Sequence, residues 1–481
     1  MNSNQNSQPP TGSSTMHIVI LQPTDVLFFR DGRPMDGSLA GHTMAWPLPD
    51  VINHAFHAAL HRAGFANSAH KHRRGRSGNY SEDPNKRDRL FGCLKTAGPF
   101  PVRLEQTSGR QNWYFPRPKD AQQAATLKIT HLPVKELPGQ PNRDPWHDCS
   151  LPDCLGYAVA NTEPPSKDEE IEQWLSLEAF QAYIKGADGN LTPDKLRTAL
   201  LKDTEIADVE SYIGIAIDPE TQTTGKGVAE GKIYSAHYLR LREEFRLGAI
   251  AEAMDKVDDQ PNQRQDLIDK LLNGKPTQIL VGGQQRVCTA NRHDVTSPLP
   301  LPKGLAAGFA KTDGKWLIKW VLLTPAIWPE IAERITGDGT QINSHPGGWL
   351  PNWIAPNDGK VLLTSGPGFK KALRKKLTPG AQINARLVAA IVPKPIVVTG
   401  WALPNDADRP EGGAKSTHLA VPAGAVYYFE ADSEADAKNL ANALNWHGDG
   451  DGKEIKNRRS TLLGEQGFGL GVCGTWKFYF M

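Results

Sequence analysis

Two guanidinium groups, Arg30 and Arg33, stand in the run Arg30-Asp31-Gly32-Arg33-Pro34, directly after the apolar burst Val26-Leu27-Phe28-Phe29. Gly and Pro force a turn there, so the pattern predicts two cations held at a strand end, where they could meet phosphate. The alternative for Arg30 is an internal salt bridge with Asp31 or another acid. A second candidate is the segment Gly464-Glu465-Gln466-Gly467-Phe468-Gly469-Leu470-Gly471-Val472-Cys473-Gly474. Gly469 to Gly474 fits G-x-G-x-x-G, but the residues that follow read as a strand and not a helix, which excludes a dinucleotide fingerprint. What remains is either a glycine-rich turn into an edge strand or a loop that brings bare backbone N–H groups against phosphate oxygens. Lys453, Lys456, Arg458 and Arg459 precede it, and charge beside bare backbone favours an anion site.

Other chemistry is weakly signalled. There is no Gly-Lys followed by Ser or Thr, no H-E-x-x-H, no C-x-x-C and no G-x-S-x-G. His147, Cys149 and Cys154 could be three metal ligands, but their irregular spacing and the lack of an obvious fourth ligand favour ordinary loop residues. His54, His57 and His61 fall on one face of a helix, as a titrating surface or simply its solvated side. Lys370, Lys371, Arg374, Lys375 and Lys376 put five cations in seven residues, either a grip on a phosphate backbone or a soluble helix surface. No Asp, Glu or His is placed by spacing in a way that marks a general acid or base. The residues therefore suggest an RNA- or phosphate-binding scaffold more readily than an enzyme, and no cofactor.

These groups must be positioned by a mixed set of elements. His17–Leu21 reads as a buried strand; Pro49-Asp50 opens a helix with Ile52, Phe56 and Leu60 on one face. Residues 66–89 carry seven Lys/Arg against three acids and almost no apolar side chain, a basic loop. Tyr212–Ile217 and Lys232–Leu241 suggest a long hairpin with Lys226 near its tip, and Gln278–Cys288 a strand interrupted at Gly282-Gly283 by a bulge or a close backbone approach. Helices are expected after the capping box Ser166/Glu169, after Thr192-Pro193, and from Ser433 to about Trp446; strands at Trp316–Leu323, Arg386–Ile391, Ile396–Trp401, Ala425–Phe429 and Val472–Phe480. The class is α+β. The expected division is a tail at 1–15 before a start at Met16, an N-terminal domain at 16–297 with insertions at 66–89 and 133–210, a Pro-rich break at 298–302, and a C-terminal domain at 303–481.

Composition sets the limits. The 481 residues are enough for more than one core, and the net charge of +2 requires any basic surface to be local. No apolar run is long enough for a membrane-spanning helix. Five cysteines without repeated spacing point to a reducing compartment, hence the cytoplasm.

Four segments together resemble the third subunit of the Cmr complex, the type III-B CRISPR effector, a branch of the RAMP superfamily. They are Leu21 to Met35; Ile213 to Asp218 with Glu230 to Tyr234 and Leu239-Arg240-Leu241; Val281 to Arg286; and Gly400-Trp401 with Ala420 to Phe429 and Gly467 to Gly471. The resemblance implies two ferredoxin-like (RRM-like) domains with long loop and helical insertions. It implies binding of the 5′ handle of crRNA, contact with the large polymerase-palm subunit and other RAMP subunits, and only indirect contact with target RNA. Cleavage would belong to other subunits, and no membrane is involved. The RNP consensus of RRM proteins is missing, so RNA is expected along loops and the glycine turn, not stacked on a sheet face.

On this basis Arg30 and Arg33 contact handle phosphates or brace the strand end, and Gly467, Gly469 and Gly471 supply backbone donors. Phe468 wedges under the loop or stacks on a base. Gly282, Gly283 and Arg286 lie near the same groove, and Lys226 reaches RNA or a neighbouring subunit. Two alternatives are a metal-independent endoribonuclease using His42, His54 or His57, and a pure protein-interaction scaffold. Arg33→Glu is expected to weaken handle-RNA binding in the assembled complex; unchanged affinity would remove Arg33 from the site.

Overall fold

The computed structural model describes residues 15–29, 40–41, 46–65, 93–105, 107–124, 128–131, 134–136, 152, 154–159, 173–185, 199–215, 217–218, 220–223, 233–257, 260–295, 297–335, 341–366, 376–402 and 413–478. Arg30, Arg33, His42, Lys226, His147, Cys149, the basic stretch 66–89 and the cations at 370–375 lie outside them, as do the helix starts expected at Ser166 and Thr192.

Strand β1 (His17–Pro23) is buried on both sides because its apolar residues alternate between two cores: Val19 and Leu21 enter one, Ile20 the other. After it come α1 (Pro49–Arg62), β2 (Leu94–Leu104), β3 (Gln111–Pro116), β4 (Trp174–Ser176), α2 (Leu177–Ile184) and β5 (Leu200–Leu201). The hairpin β6 (Ala207–Ile215) and β7 (Ile233–Leu241) leads to the long β8 (Phe245–Val257), then α3 (Leu267–Leu272), β9 (Thr277–Leu280) and β10 (Val287–Asp294). The main sheet runs β5-β4-β3-β2-β8-β1-β10-β9. β1 pairs antiparallel with β8 and β10, with Leu21 opposite Leu247 and Ala290. Helices α1 and α3 cover one face through Ile52, Phe56, Leu60, Ile268 and Leu272.

The C-terminal half repeats the plan. Strands β11 (Lys315–Leu322), β12 (Ala385–Ile391), β13 (Val426–Ala431) and β14 (Gly471–Thr475) assemble in the order β14-β11-β13-β12. Helix α4 (Glu434–Leu444) packs on one face; its Ser433 hydroxyl accepts from the Asp436 N–H at 3.0 Å, an N-cap. In both halves the four central strands lie in the order fourth, first, third, second. Between β11 and β12 the described residues form no helix; irregular backbone with buried Trp328 and Ile354 takes that place.

The two sheets face each other. Ile20, Phe100, Val102 and Ile250 from the first share a core with Leu317, Val321, Val388 and Tyr428 from the second, while Ile318, Trp320, Tyr427 and Phe429 point the other way, toward α4. The layers are thus helix, sheet, shared core, sheet, helix. The Pro-rich segment is not an exposed linker, because Leu299 and Leu301 are buried in the shared core. The chain around 154–159 crosses to the C-terminal sheet: the Gly156 N–H donates to Val388 O at 2.8 Å and the Tyr157 hydroxyl to Glu430 Oε1 at 2.8 Å.

At the centre of this core Lys319 is buried on β11. Its ammonium lies 2.8 Å from Asp120 Oδ2 and donates to the Tyr183 hydroxyl at 2.8 Å. Tyr183 and Tyr428 hydroxyls both donate to the Asp120 carboxylate, the latter at 3.0 Å. Burial lowers the Lys319 pKa, opposed by Asp120, and burial together with Asp120 holds Tyr183 well above its ordinary value.

Several boundaries differ from the sequence expectation. β2 and β8 were not expected: LKTAGPFPVRL is broken by Gly and Pro, and RLGAIAEAMDKV has helix-favouring Ala, Glu and Met, yet both are central strands because burial between partners overrides local propensity. Gln278–Cys288 is not a bulged strand but a hairpin, β9 and β10, turning through 281–286.

Lys319→Met is expected to lower stability by about 3–5 kcal/mol in urea unfolding, since Asp120 is then buried without its counter-charge. Adding Asp120→Asn should recover most of the loss, because no uncompensated charge remains, the amide oxygen still accepts from one tyrosine hydroxyl and the amide nitrogen can donate to the other.

Candidate nucleic-acid interface

Three of the segments singled out in the sequence converge at the base of the β6–β7 hairpin. The chain leaving β1 is strapped on one side to β7, where Leu27 and Leu239 exchange N–H to O bonds of 2.8 Å. On the other side the Gly283 N–H donates to Phe28 O at 2.9 Å. A Cβ on Gly282 would sit 2.5 Å from that same carbonyl, and its φ is +78°, so only glycine allows the loop this close. Gln284 and Gln285 continue it at φ +54° and +53°, conformations that cost a non-glycine residue roughly 1–2 kcal/mol each. Backbone strain of this kind collects at functional sites.

The hairpin places its side chains by strand alternation. Glu210 lies opposite Tyr238, with Tyr212 on the same face, so the two tyrosine rings meet edge to face at 5.1 Å. Phe28 packs on Tyr238 at 5.5 Å, and the Arg286 guanidinium lies 4.8 Å from the centroid of the Tyr238 ring. Arg286 Nη1 is 3.9 Å from Asp25 Oδ2, and its buried Nε–H has no hydrogen-bond partner among the described residues. Arg240 binds Glu210 through Nε and Asp25 through Nη1 at 2.9 Å. The hydrogen bond from Arg240, then that from Tyr212, holds the Glu210 carboxyl below the usual carboxylate range. Asp25, Glu210, Arg240 and Arg286 together carry no net charge. The surface is neutral, aromatic and amide-bearing, with Tyr212 52% exposed. Such a surface suits the flat faces and edges of unpaired bases better than phosphates.

The sequence pointed to Gly282, Gly283 and Arg286 but missed Asp25, Phe28, Tyr212, Tyr238 and Gln284. The available signal was register: two tyrosines two pairs apart on facing strands of a predicted hairpin share a face.

The terminal glycine segment lies elsewhere and does another job. Phe468 is 0% exposed, clustered with Leu48, Ile327, Val398 and Ala420, which takes the wedge and not the base-stacking option. The Gly467 N–H donates to Gly464 O at 3.0 Å and the Gly469 N–H to Pro325 O at 2.7 Å, while Gly471, buried opposite Leu322, accepts from the Trp446 N–H at 2.9 Å through its carbonyl. The donors of Gly467 and Gly469 are spent inside the protein and Gly471 is buried, so the expected phosphate cradle is corrected to a packed joint between the halves. A Cβ on Gly467 would stand 3.0 Å from Thr96 O and 3.2 Å from Pro49 Cβ. The preceding cations are engaged too: Lys456 with Asp449 at 2.9 Å, Lys453 with Asp451 at 3.7 Å, and Arg459 Nε donating to Ala443 O at the end of α4 at 2.6 Å.

The histidine row does not form one surface. His54 is exposed, facing the neighbourhood of Asp50 and Lys415, whereas His57 is buried. Desolvation raises the Asp50 pKa, with His54 and Lys415 opposing. Cys154 is buried among C-terminal core residues, and among the described residues no group of three ligand side chains gathers. No described helix is long and apolar enough to cross a membrane.

Gly469→Ala is expected to act on folding: at φ +78° its Cβ would collide with the Ser460 backbone nitrogen, so thermal unfolding should shift down by several degrees. An unchanged melting temperature would show that the joint does not need glycine at this position.

Comparison with known proteins adds a family. No curated protein matches the chain. Among solved structures it is similar to a chain of the type III-B Cmr-beta complex bound to cognate target RNA and AMPPnP, at 13% identity and TM-score 0.35, covering 85% of this chain and 86% of that one. A chain of the same complex bound to cognate target RNA gives 14% identity and TM-score 0.34, with 85% and 86% covered. A chain of the Csm3-Csm4 subcomplex of the type III-A CRISPR-Cas interference complex gives 10% identity and TM-score 0.30, with 85% and 92% covered. The family profile described as CRISPR-associated protein (Cas_Cmr3) matches residues 19–476, nearly the whole length, and the chain belongs to that family.

Proposed function

We propose that the chain is a non-catalytic subunit of a type III-B CRISPR RNA-guided effector complex that works in the cytoplasm. In this reading it binds the 5′ handle of crRNA and docks the large polymerase-palm subunit beside other RAMP subunits. Family membership supports the complex. The observation that carries the RNA contact is the convergence of the opening motif, the hairpin and the 281–286 loop on one exposed aromatic surface. We read each half as a ferredoxin-like domain, supported by the fourth-first-third-second strand order found twice.

The buried sheet faces favour handle binding on loops. An RRM presents its open sheet face to RNA, but here both sheets spend that face on each other. Phosphate contacts would fall to Arg30, which directly follows Phe29, to Arg33 and to Lys226. The outer edge of β6 supports a protein neighbour: Val209, Ile213 and Ile215 on the strand and Ile217 just beyond it are largely exposed, and among the described residues β6 pairs only with β7. The charges on the hairpin's other face cancel internally, so an uncharged partner surface fits this row.

The test is to purify the tagged full-length chain from cells carrying its accompanying genes, sequence the co-purified RNA, and repeat with Arg286→Ala. Short RNAs sharing one 5′ handle, together with a large polymerase-palm partner, are expected, with RNA recovery reduced for the variant. Recovery of the partner without RNA would leave a pure interaction subunit. Cleavage of repeat RNA by the chain in chelator would replace the proposal with the endoribonuclease reading.

A further inference from the structure

We propose that Gln284 is a base-reading residue, donating from its amide nitrogen to the keto oxygen of one guanine or uracil of the bound RNA, with the Tyr212 ring as the adjoining stacking surface. This rests on the hairpin base being an RNA-contacting surface.

The orientation of the amide carries the inference. The Tyr238 hydroxyl donates to Gln284 Oε1 at 2.6 Å, and Arg286 Nη2 lies 3.5 Å from the same oxygen. A guanidinium can only donate, so the end of the amide facing it must be the oxygen. Tyr238 is itself held by Phe28, Tyr212 and the Arg286 guanidinium, which leaves the amide little freedom to flip. Gln284 Nε2, with its two N–H groups, therefore points away from these partners on an exposed residue and meets no acceptor among the described residues.

A free glutamine reads adenine by using both ends, accepting from N6–H and donating to N7. Here the accepting end is already occupied, so adenine and cytosine, which present an amino group where guanine and uracil present a keto oxygen, are disfavoured. The backbone points the same way. Gln284 and Gln285 hold left-handed conformations although glycine or asparagine would adopt them more easily, so a long amide is kept at a position where its backbone is strained. Tyr212, 52% exposed and perpendicular to the Tyr238 ring whose hydroxyl holds the amide, puts an aromatic surface on the same patch for a base to stack upon.

The experiment measures competition binding by the assembled complex. The probes are synthetic RNAs carrying the handle sequenced from co-purified RNA, each with one guanine changed to adenine or one uracil to cytosine. At one handle position the wild type should lose about tenfold in affinity on the keto-to-amino change. Gln284→Gly, which relieves the backbone and so keeps the fold, should bind the two RNAs equally at that position. Gln284→Glu, which cannot donate, should bind the keto base worse than the wild type does. If the handle is preferred over a scrambled RNA but the base profile of Gln284→Gly matches the wild type at every position, the base-reading role is overturned while the RNA surface stands. If the wild-type complex binds handle and scrambled RNA alike, the RNA surface itself is overturned, and this role with it.

Discussion

A lysine ammonium buried between two β-sheets is the constraint around which this protein is arranged. Lys319 stands on a strand whose neighbours Leu317 and Val321 enter the same apolar layer, and its charge is tolerated there only because Asp120 reaches in from the other half of the chain. Tyr183 and Tyr428 also donate to the carboxylate, one from each half. A buried ion pair adds little net stability, but separating its members is costly. The pair thus penalises any slide or hinge of one sheet against the other and favours the two halves moving as one body.

That constraint decides which surfaces are left for function. Each half has an open sheet face opposite its helices, and each face is consumed by the other. In the proposed role, recognition would then use what projects from the sheet edges: the β6–β7 hairpin, the exit from β1 and the turn through 281–286. These three are tied together by backbone hydrogen bonds around Phe28, so the aromatic and amide groups on them are held at fixed spacing by a rigid base. With Arg240 and Arg286 cancelled internally against Asp25 and Glu210, a ligand of this patch would be selected by shape and polarity in place of bulk charge. Long-range attraction to RNA would have to come from other cations.

The glycine-rich segment near the C-terminus shows how the same residues answer different needs. Glycines let backbone approach anything closely, phosphate or protein. Here Gly467 approaches β2 and the start of α1, and Gly469 the chain at Ser460. Phe468 between them fills an apolar pocket at the joint of the halves. The composition alone could not distinguish these uses, because both require small residues and left-handed turns.

What the sequence determined by itself was local: the amphipathic α1, the capped α4, the buried β1 and β11, the hairpin, and the family, the last through short motifs whose order along the chain is preserved. The close backbone approach at Gly282 and Gly283 was legible because glycines stand out in an extended run, whereas Arg286 entered only through the family resemblance. Their neighbours on the candidate surface were not legible, since Asp25, Tyr212, Tyr238 and Gln284 come together only when strand register and a turn bring them into contact. The same holds for the central strands β2 and β8, whose Pro, Gly, Ala and Glu argue against strands until two neighbours bury them. Lys319 and Asp120 are some two hundred positions apart and look like surface charges in the sequence. Only the tertiary structure decided that they meet in the core, because burial and pairing are properties of the assembled sheets and not of any window of residues.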